Sequence, residues 1–160
     1  MTNKFFKPII VLDFDGVIHS YKSGWKGASV IDDDVNPGAI EFILKARKTY
    51  QVAILSSRSH QWGGKRAMKK WLKQKLKEWI ERKSDNYHTH TDWINASKLA
   101  EFNPGMEPWG IEMNEWADGV IHSIKWPWFK PPAKLTIDDR AMQFCGTFPE
   151  IDWVDNFKPF

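Results

Sequence analysis

The chain has 160 residues, 42% of them hydrophobic, enough for one domain whose core needs neither disulfides nor a structural metal. Its formal charge of +3 excludes a general polycation, and no apolar run reaches the roughly 20 residues that span a bilayer. The single cysteine, Cys145, excludes a disulfide framework and reads as a buried thiol; with no secretory signal evident, this predicts a reducing, cytoplasmic location.

The first element is the apolar run Pro8-Ile9-Ile10-Val11-Leu12, which ends at Asp13 and has the pattern of a buried parallel strand. Pro37 opens a predicted helix through AIEFILKARKTY. A second apolar strand, Gln51 to Leu55, ends at Ser56-Ser57. A long helix then runs from about Gly64 to Lys83, where Met68, Leu72, Leu76 and Ile80 recur every four residues with Trp71 and Trp79 flanking the same face. Lysine and arginine crowd this helix against Glu78 and Glu81, as a polyanion-binding patch or as a solvated face. The ten tryptophans can fill a small core or, in loops, stack on bases.

From 84 to 119 the pattern weakens, and this stretch is the candidate insertion or small cap. It holds predicted helices over Asp92–Ala100 and Ile111–Ala117, with Pro104-Gly105 and Pro108 between them. His88 and His90 lack the thiolates of a zinc site. Val120–Ile124 reads as a third strand, and Leu135–Ile137 as a fourth that ends at Asp138-Asp139. Alternating strands and helices predict an α/β protein: a Rossmann-like three-layer sandwich with a mostly parallel sheet of at least four strands, in one domain spanning 1–160.

In an open sheet of this kind ligands bind beyond the carboxyl ends of the strands. Three of these ends carry reactive groups: Asp13 with Asp15, Ser56 with Ser57, and Asp138 with Asp139. Side by side, they form an acidic pocket that holds a hard cation through oxygen ligands. Acidic residues that merely cap neighbouring helices explain one such end but not three.

DFDGVIHS at 13–20, ILSSR at 54–58 and LTIDDRA at 135–141 resemble the first, second and fourth signatures of the haloacid dehalogenase-like hydrolases. With GWKGA, SSRS, KPPAKLTIDDRA and GTFP, the set is similar to small phage and bacterial members of that superfamily. The resemblance implies that Asp13 is the nucleophile and Asp15 the general acid and base. It implies that Ser56 holds the transferring phosphoryl group, and that Asp13, Asp138, Asp139 and the backbone carbonyl of Asp15 surround Mg²⁺. The third signature is a lysine, for which Lys130 and Lys134 compete. Lys134 stands four residues before Asp138, about 13 Å away along a strand, toward the wrong edge of the sheet. Lys130, in the WPWFKPP connection, is therefore the expected residue. Arg58 can bind a phosphate or a neighbouring aspartate, and His19, Trp25 and Lys26 are candidate substrate contacts. Arg140 is expected to pair with nearby carboxylates.

The activity implied is Mg²⁺-dependent hydrolysis of a phosphomonoester through an aspartyl-phosphate. The partner is a phosphorylated small molecule or a nucleic-acid end, with no membrane and no obligate protein partner inferred. The alternatives are a catalytically inactive phosphate-binding module, a small-metabolite phosphatase, and dehalogenation, which the Asp138-Asp139 pair disfavours.

Overall fold

Ile9–Leu12 forms strand β1, whose Ile-Ile-Val-Leu sequence suits a strand covered on both faces. The computed structural model describes residues 7–85, 97–100, 111–141, 145–146, 156 and 158. In it β1 is the central strand of a three-stranded, all-parallel sheet. Strand β2, Gln51–Ile54, pairs with Ile10 opposite Val52 and Leu12 opposite Ile54. Strand β3, Leu135–Ile137, pairs on the other side with Leu12 opposite Ile137. Ile10, Leu12, Val52 and Ile54 face one helix-covered core. Val11 and Ala53 point to the opposite face by the two-residue period and are buried as well.

Parallel neighbours need a crossover, and helix α1, Ala39–Thr49, supplies it between β1 and β2. It starts two residues after Pro37 and buries Ile40, Ile43, Leu44 and Ala46. Helix α2, Gly64–Asp85, buries Met68, Leu72, Leu76 and Ile80 completely, as their spacing predicts. Each such side chain stabilises the fold by about 1.5–3 kcal/mol. Trp79 Nε1 donates to Glu41 Oε1 at 2.6 Å and ties α2 to α1. The result is a small α/β domain with a parallel sheet flanked by helices.

One predicted strand is a helix. Val120–Ser123 forms the end of α3, Ile111–Ser123, and Ile124 follows it as a bend; α3 packs on α2 with a 2.7 Å Lys73–Asp118 ion pair. Its buried residues Met113, Ala117, Val120 and Ile121 recur at three and four positions, the helical period. Gly119 breaks that pattern by eye, because glycine costs a helix about 1 kcal/mol relative to alanine and usually marks an end. The expected fourth sheet position is reduced to Lys125. Its N–H donates to Val52 O and its carbonyl accepts from Ile54 N, both at 2.9 Å, in an isolated parallel bridge to Ala53. Pro127, two residues on, lacks the N–H a continuing strand would use.

Cys145 is exposed rather than buried. His88, His90, the GTFP residues 147–149 and most of the expected Asp92–Ala100 helix lie outside the described residues, of which 97–100 are helical. Among the described residues no helix is long and apolar enough to cross a membrane.

Candidate active site

The carboxyl ends of all three strands converge. Asp13 N donates to Ile137 O at 2.9 Å and Leu55 N to Leu12 O at 3.1 Å, extending both ladders one residue past the strands. Asp13 therefore sits between Ser56 and Asp138. Phe14 is fully buried, while the carboxylates on either side of it line one cavity of about 340 Å³. Tyr21, Leu55, Ser56, Ser57, His60, Asp138 and Arg140 complete its wall.

Asp13, Asp138 and Asp139 offer carboxylate oxygens that all lie within 4.8 Å of one another. Burial pushes the Asp13 carboxyl up to about 7, opposed by a hydrogen bond from the Phe14 backbone N–H and reinforced by the charges of Asp138, Asp139 and Asp15. The Asp139 side chain is 3% exposed, and among the described residues neither of its oxygens has a hydrogen-bond partner. Its nearest cation, Arg140 Nε, stands 3.7 Å away. Buried carboxylate oxygens without partners are costly, so the cluster fits a divalent cation. An all-carboxylate donor set suits a hard ion such as Mg²⁺. Gly16 makes the arrangement possible: its φ is +88°, and a Cβ there would fall 2.5 Å from Asp139 Oδ2.

Asp15 belongs to a different network. Its Oδ1 accepts from His19 Nδ1 at 2.8 Å and its Oδ2 from Arg58 Nε at 2.7 Å. The Asp33 backbone N–H donates to His19 Nε2 at 3.2 Å, which fixes the tautomer with its proton on Nδ1. Burial raises the Asp15 carboxyl, but the bonds from His19 and Arg58 outweigh it and hold the group below its ordinary value. Asp15 is thus ionised, and it reaches the cavity wall with both side-chain oxygens already accepting hydrogen bonds.

Ser56 caps the 3₁₀ turn Ser57–His60: its Oγ accepts from Arg58 N at 3.3 Å, while Ser59 Oγ accepts from Ser56 N at 3.2 Å. That bond uses Ser56 as an acceptor and leaves its O–H as a donor on the cavity wall.

Several expected substrate contacts sit elsewhere. His19 is 1% exposed and lies against Asp15, stacked on Phe14 with ring centroids 5.7 Å apart. Arg58 is 0% exposed, and its Nη1 donates to the carbonyls of Gly27, Ala28 and Val30 at 2.8–3.0 Å. Of the two readings for Arg58, the neighbouring aspartate is the one realised. Trp25 lies over that guanidinium, 4.7 Å from it, and Lys26 pairs with Asp32 at 2.9 Å in solvent; neither lines the cavity. Lys134 bonds through its N–H to Ile9 O, at the amino edge of the sheet, as the strand geometry requires. Lys130 is exposed and outside the cavity wall, although its neighbour Phe129 packs on His60. The cationic side chain that does line the cavity is Arg140, which also stands 5.8 Å over the Tyr21 ring.

Sequence reasoning missed His60 and Tyr21 as wall residues. His60 had a signal, since SSRSH carries polar groups straight off a buried strand. For Tyr21 the resemblance pointed to the right loop, 20–26, but to Trp25 and Lys26 within it, and the left-handed backbone at φ 55° that sets Tyr21 has no sequence signal.

The titration of Asp13 gives a signed test. The group ionises near 3.8 when unfolded and about 7 in the fold, so the stability it contributes is complete below about 3.8 and lost as pH rises through 7. Asp15, shifted the other way, loses its contribution only as pH falls below 3.8. Without divalent cation, the melting temperature should therefore fall as pH rises from about 4 to about 7. Added Mg²⁺ should raise it most above that range, where protons no longer compete for the carboxylates. Calorimetry that finds Mg²⁺ without effect at alkaline pH would leave the cluster without its cation.

Compared with models of protein families, with curated proteins and with solved structures, the chain matches none of them.

Proposed function

We propose that the chain is a Mg²⁺-dependent phosphomonoesterase of the haloacid dehalogenase-like kind, with Asp13 as its nucleophile. The observation that carries this reading is the acidic cluster of Asp13, Asp138 and Asp139 at the carboxyl edge, with a separately held, ionised Asp15 two residues from the nucleophile. A bound divalent cation would neutralise Asp13 and phosphoryl oxygen charge together. Asp13, Asp138 and Asp139 would hold it, with the backbone carbonyl of Asp15.

In the first half of the reaction an Asp13 oxygen forms a bond to phosphorus as the ester P–O bond breaks, and the leaving oxygen takes the electron pair. The Ser56 O–H donates to a phosphoryl oxygen and steadies the group in flight. In the second half water attacks the aspartyl-phosphate, Asp15 takes its proton, and the Asp13 carboxylate departs as inorganic phosphate forms. The ion pair with Arg58 keeps Asp15 ionised and so able to accept a proton, while making it a weaker base. It handicaps protonation of the leaving oxygen, so weakly basic aryl leaving groups are favoured over alkyl ones.

The test separates the two halves. Wild-type protein should hydrolyse 4-nitrophenyl phosphate only with Mg²⁺. Asp15→Asn, which keeps an acceptor for Arg58 Nε, should release one equivalent of nitrophenol in a burst and then stall. The stalled protein should carry one phosphoryl group by mass spectrometry. Linear turnover at the wild-type rate in that variant would remove Asp15 as the base. Absence of any Mg²⁺-dependent hydrolysis would remove the reading as a whole.

A further inference from the structure

Large solvent-facing rings stand on the two segments that meet at the wall residue His60. His60 is part of its wall, and Trp62, two residues on, is 99% exposed. Phe129 is 81% exposed and packs on the His60 ring with centroids 5.9 Å apart. Trp128 beside it is 57% exposed, with Lys65 Nζ 3.4 Å over its face. A scattered exposed aromatic needs no explanation. Three on adjoining segments, one of them in contact with the cavity wall, are more than scatter and leave apolar area in water that a partner would cover. They also sit on stiff supports. Lys65 Nζ is anchored by the Trp126 carbonyl at 2.8 Å, and Pro127, Pro131 and Pro132 bracket the connection.

Charge tells what covers them. Among the described residues, the cations of α2 that pair with carboxylates are in its later turns: Lys73 with Asp118, Lys75 with Asp34 and Glu78, Lys83 with Glu41. In the first turns, Lys65 and Lys69 lie over Trp128 and Trp126 instead, and Arg66 and Lys70 are exposed. The end of the helix nearest the acidic cavity thus keeps a positive field beside exposed rings. Aromatic faces interleaved with lysines bind a flexible polyanion whose units carry flat rings, which is single-stranded nucleic acid.

We propose that Trp62, Trp128 and Phe129, with Lys65 and Lys69 behind them, form a stacking track for the last nucleotides of a single strand whose terminal phosphate enters the Asp13 cavity. This rests on the phosphomonoesterase reading and names its substrate class. The rings hold the bases without reading sequence, the lysines follow the backbone, and the cavity takes the end.

The experiment measures binding in full-length protein carrying Asp13→Asn, so that no turnover intervenes, by anisotropy of a labelled oligothymidylate phosphorylated at its 5′ or 3′ end. The strand should bind, with affinity falling steeply as salt rises, and a blunt duplex of the same length should bind far more weakly. Trp62→Ala and Phe129→Ala should each weaken binding about tenfold or more, from the usual worth of one stacked base. Both residues are exposed, so neither change threatens the fold. Unchanged affinity in both variants, or equal binding of duplex and strand, overturns the proposal. So does sedimentation showing a dimer that Trp62→Ala dissociates, since the rings would then be covered by a second copy of the chain. Hydrolysis of 4-nitrophenyl phosphate by the wild type is followed in parallel. Active protein that ignores the strand defeats the track alone, whereas a strand binder without hydrolysis defeats the phosphatase reading.

Discussion

Asp13→Asn is expected to lower turnover of 4-nitrophenyl phosphate by about 10⁵-fold or more, the scale seen when a covalent nucleophile is removed. The amide is a far weaker nucleophile, and Asp15, two residues on, is held by His19 and Arg58. The same change should not unfold the protein. Burial first, and the like charges of Asp138, Asp139 and Asp15 after it, disfavour the ionised form of Asp13. Removing that charge relieves repulsion, so the melting temperature without cation at neutral pH should hold or rise. Mg²⁺ affinity should fall, because one of the three clustered carboxylates is gone. Retained turnover in purified, folded Asp13→Asn would falsify covalent catalysis at this residue. Loss of activity together with loss of fold would instead make Asp13 a structural residue.

Arg58→Ala is expected to cost about 3–5 kcal/mol of stability, the usual result of leaving a buried charge without its partner. The loss falls on two places at once. Asp15 keeps its burial but loses the 2.7 Å bond that offsets it, and the carbonyls of Gly27, Ala28 and Val30 lose their shared donor. Those three carbonyls belong to the connection between β1 and α1, so Arg58 ties β2's exit to that connection. Total stability for a domain of this size is about 5–15 kcal/mol, so the variant should be marginal in urea titration. Arg58→Lys should recover only part of the loss. An ammonium keeps the charge but cannot reach a carboxylate and three carbonyls from one planar fork. A change below about 1 kcal/mol in Arg58→Ala would mean that water replaces the guanidinium. That would contradict its complete burial.

Much of this arrangement was legible in the chain itself. The three strands are short apolar runs that stop at Asp13, Ser56 and Asp138, and parallel topology then brings those stops to one edge. The core face of α2 was equally plain, because Met68, Leu72, Leu76 and Ile80 follow the helical period over a long segment. Local patterns of this kind are set by the backbone's own periodicity and survive in any tertiary setting. The end of α3 was not legible, since Val120–Ile124 is too short a run to show its period once Gly119 interrupts it.

The fate of the charged groups was decided only by the fold. Arg58 and Asp15 are 43 residues apart, and nothing local distinguishes a guanidinium that meets substrate from one that meets a buried carboxylate. His19 was turned inward by Phe14 and Asp15, Lys26 was taken by Asp32, and Gly16 gained its meaning from Asp139, which arrives from the far strand. By itself the sequence determined which residues could do chemistry and at which edge they would gather. Tertiary structure decided which of them remain available, because a charge's energy depends on every neighbour within a few ångströms, and those neighbours come from distant parts of the chain.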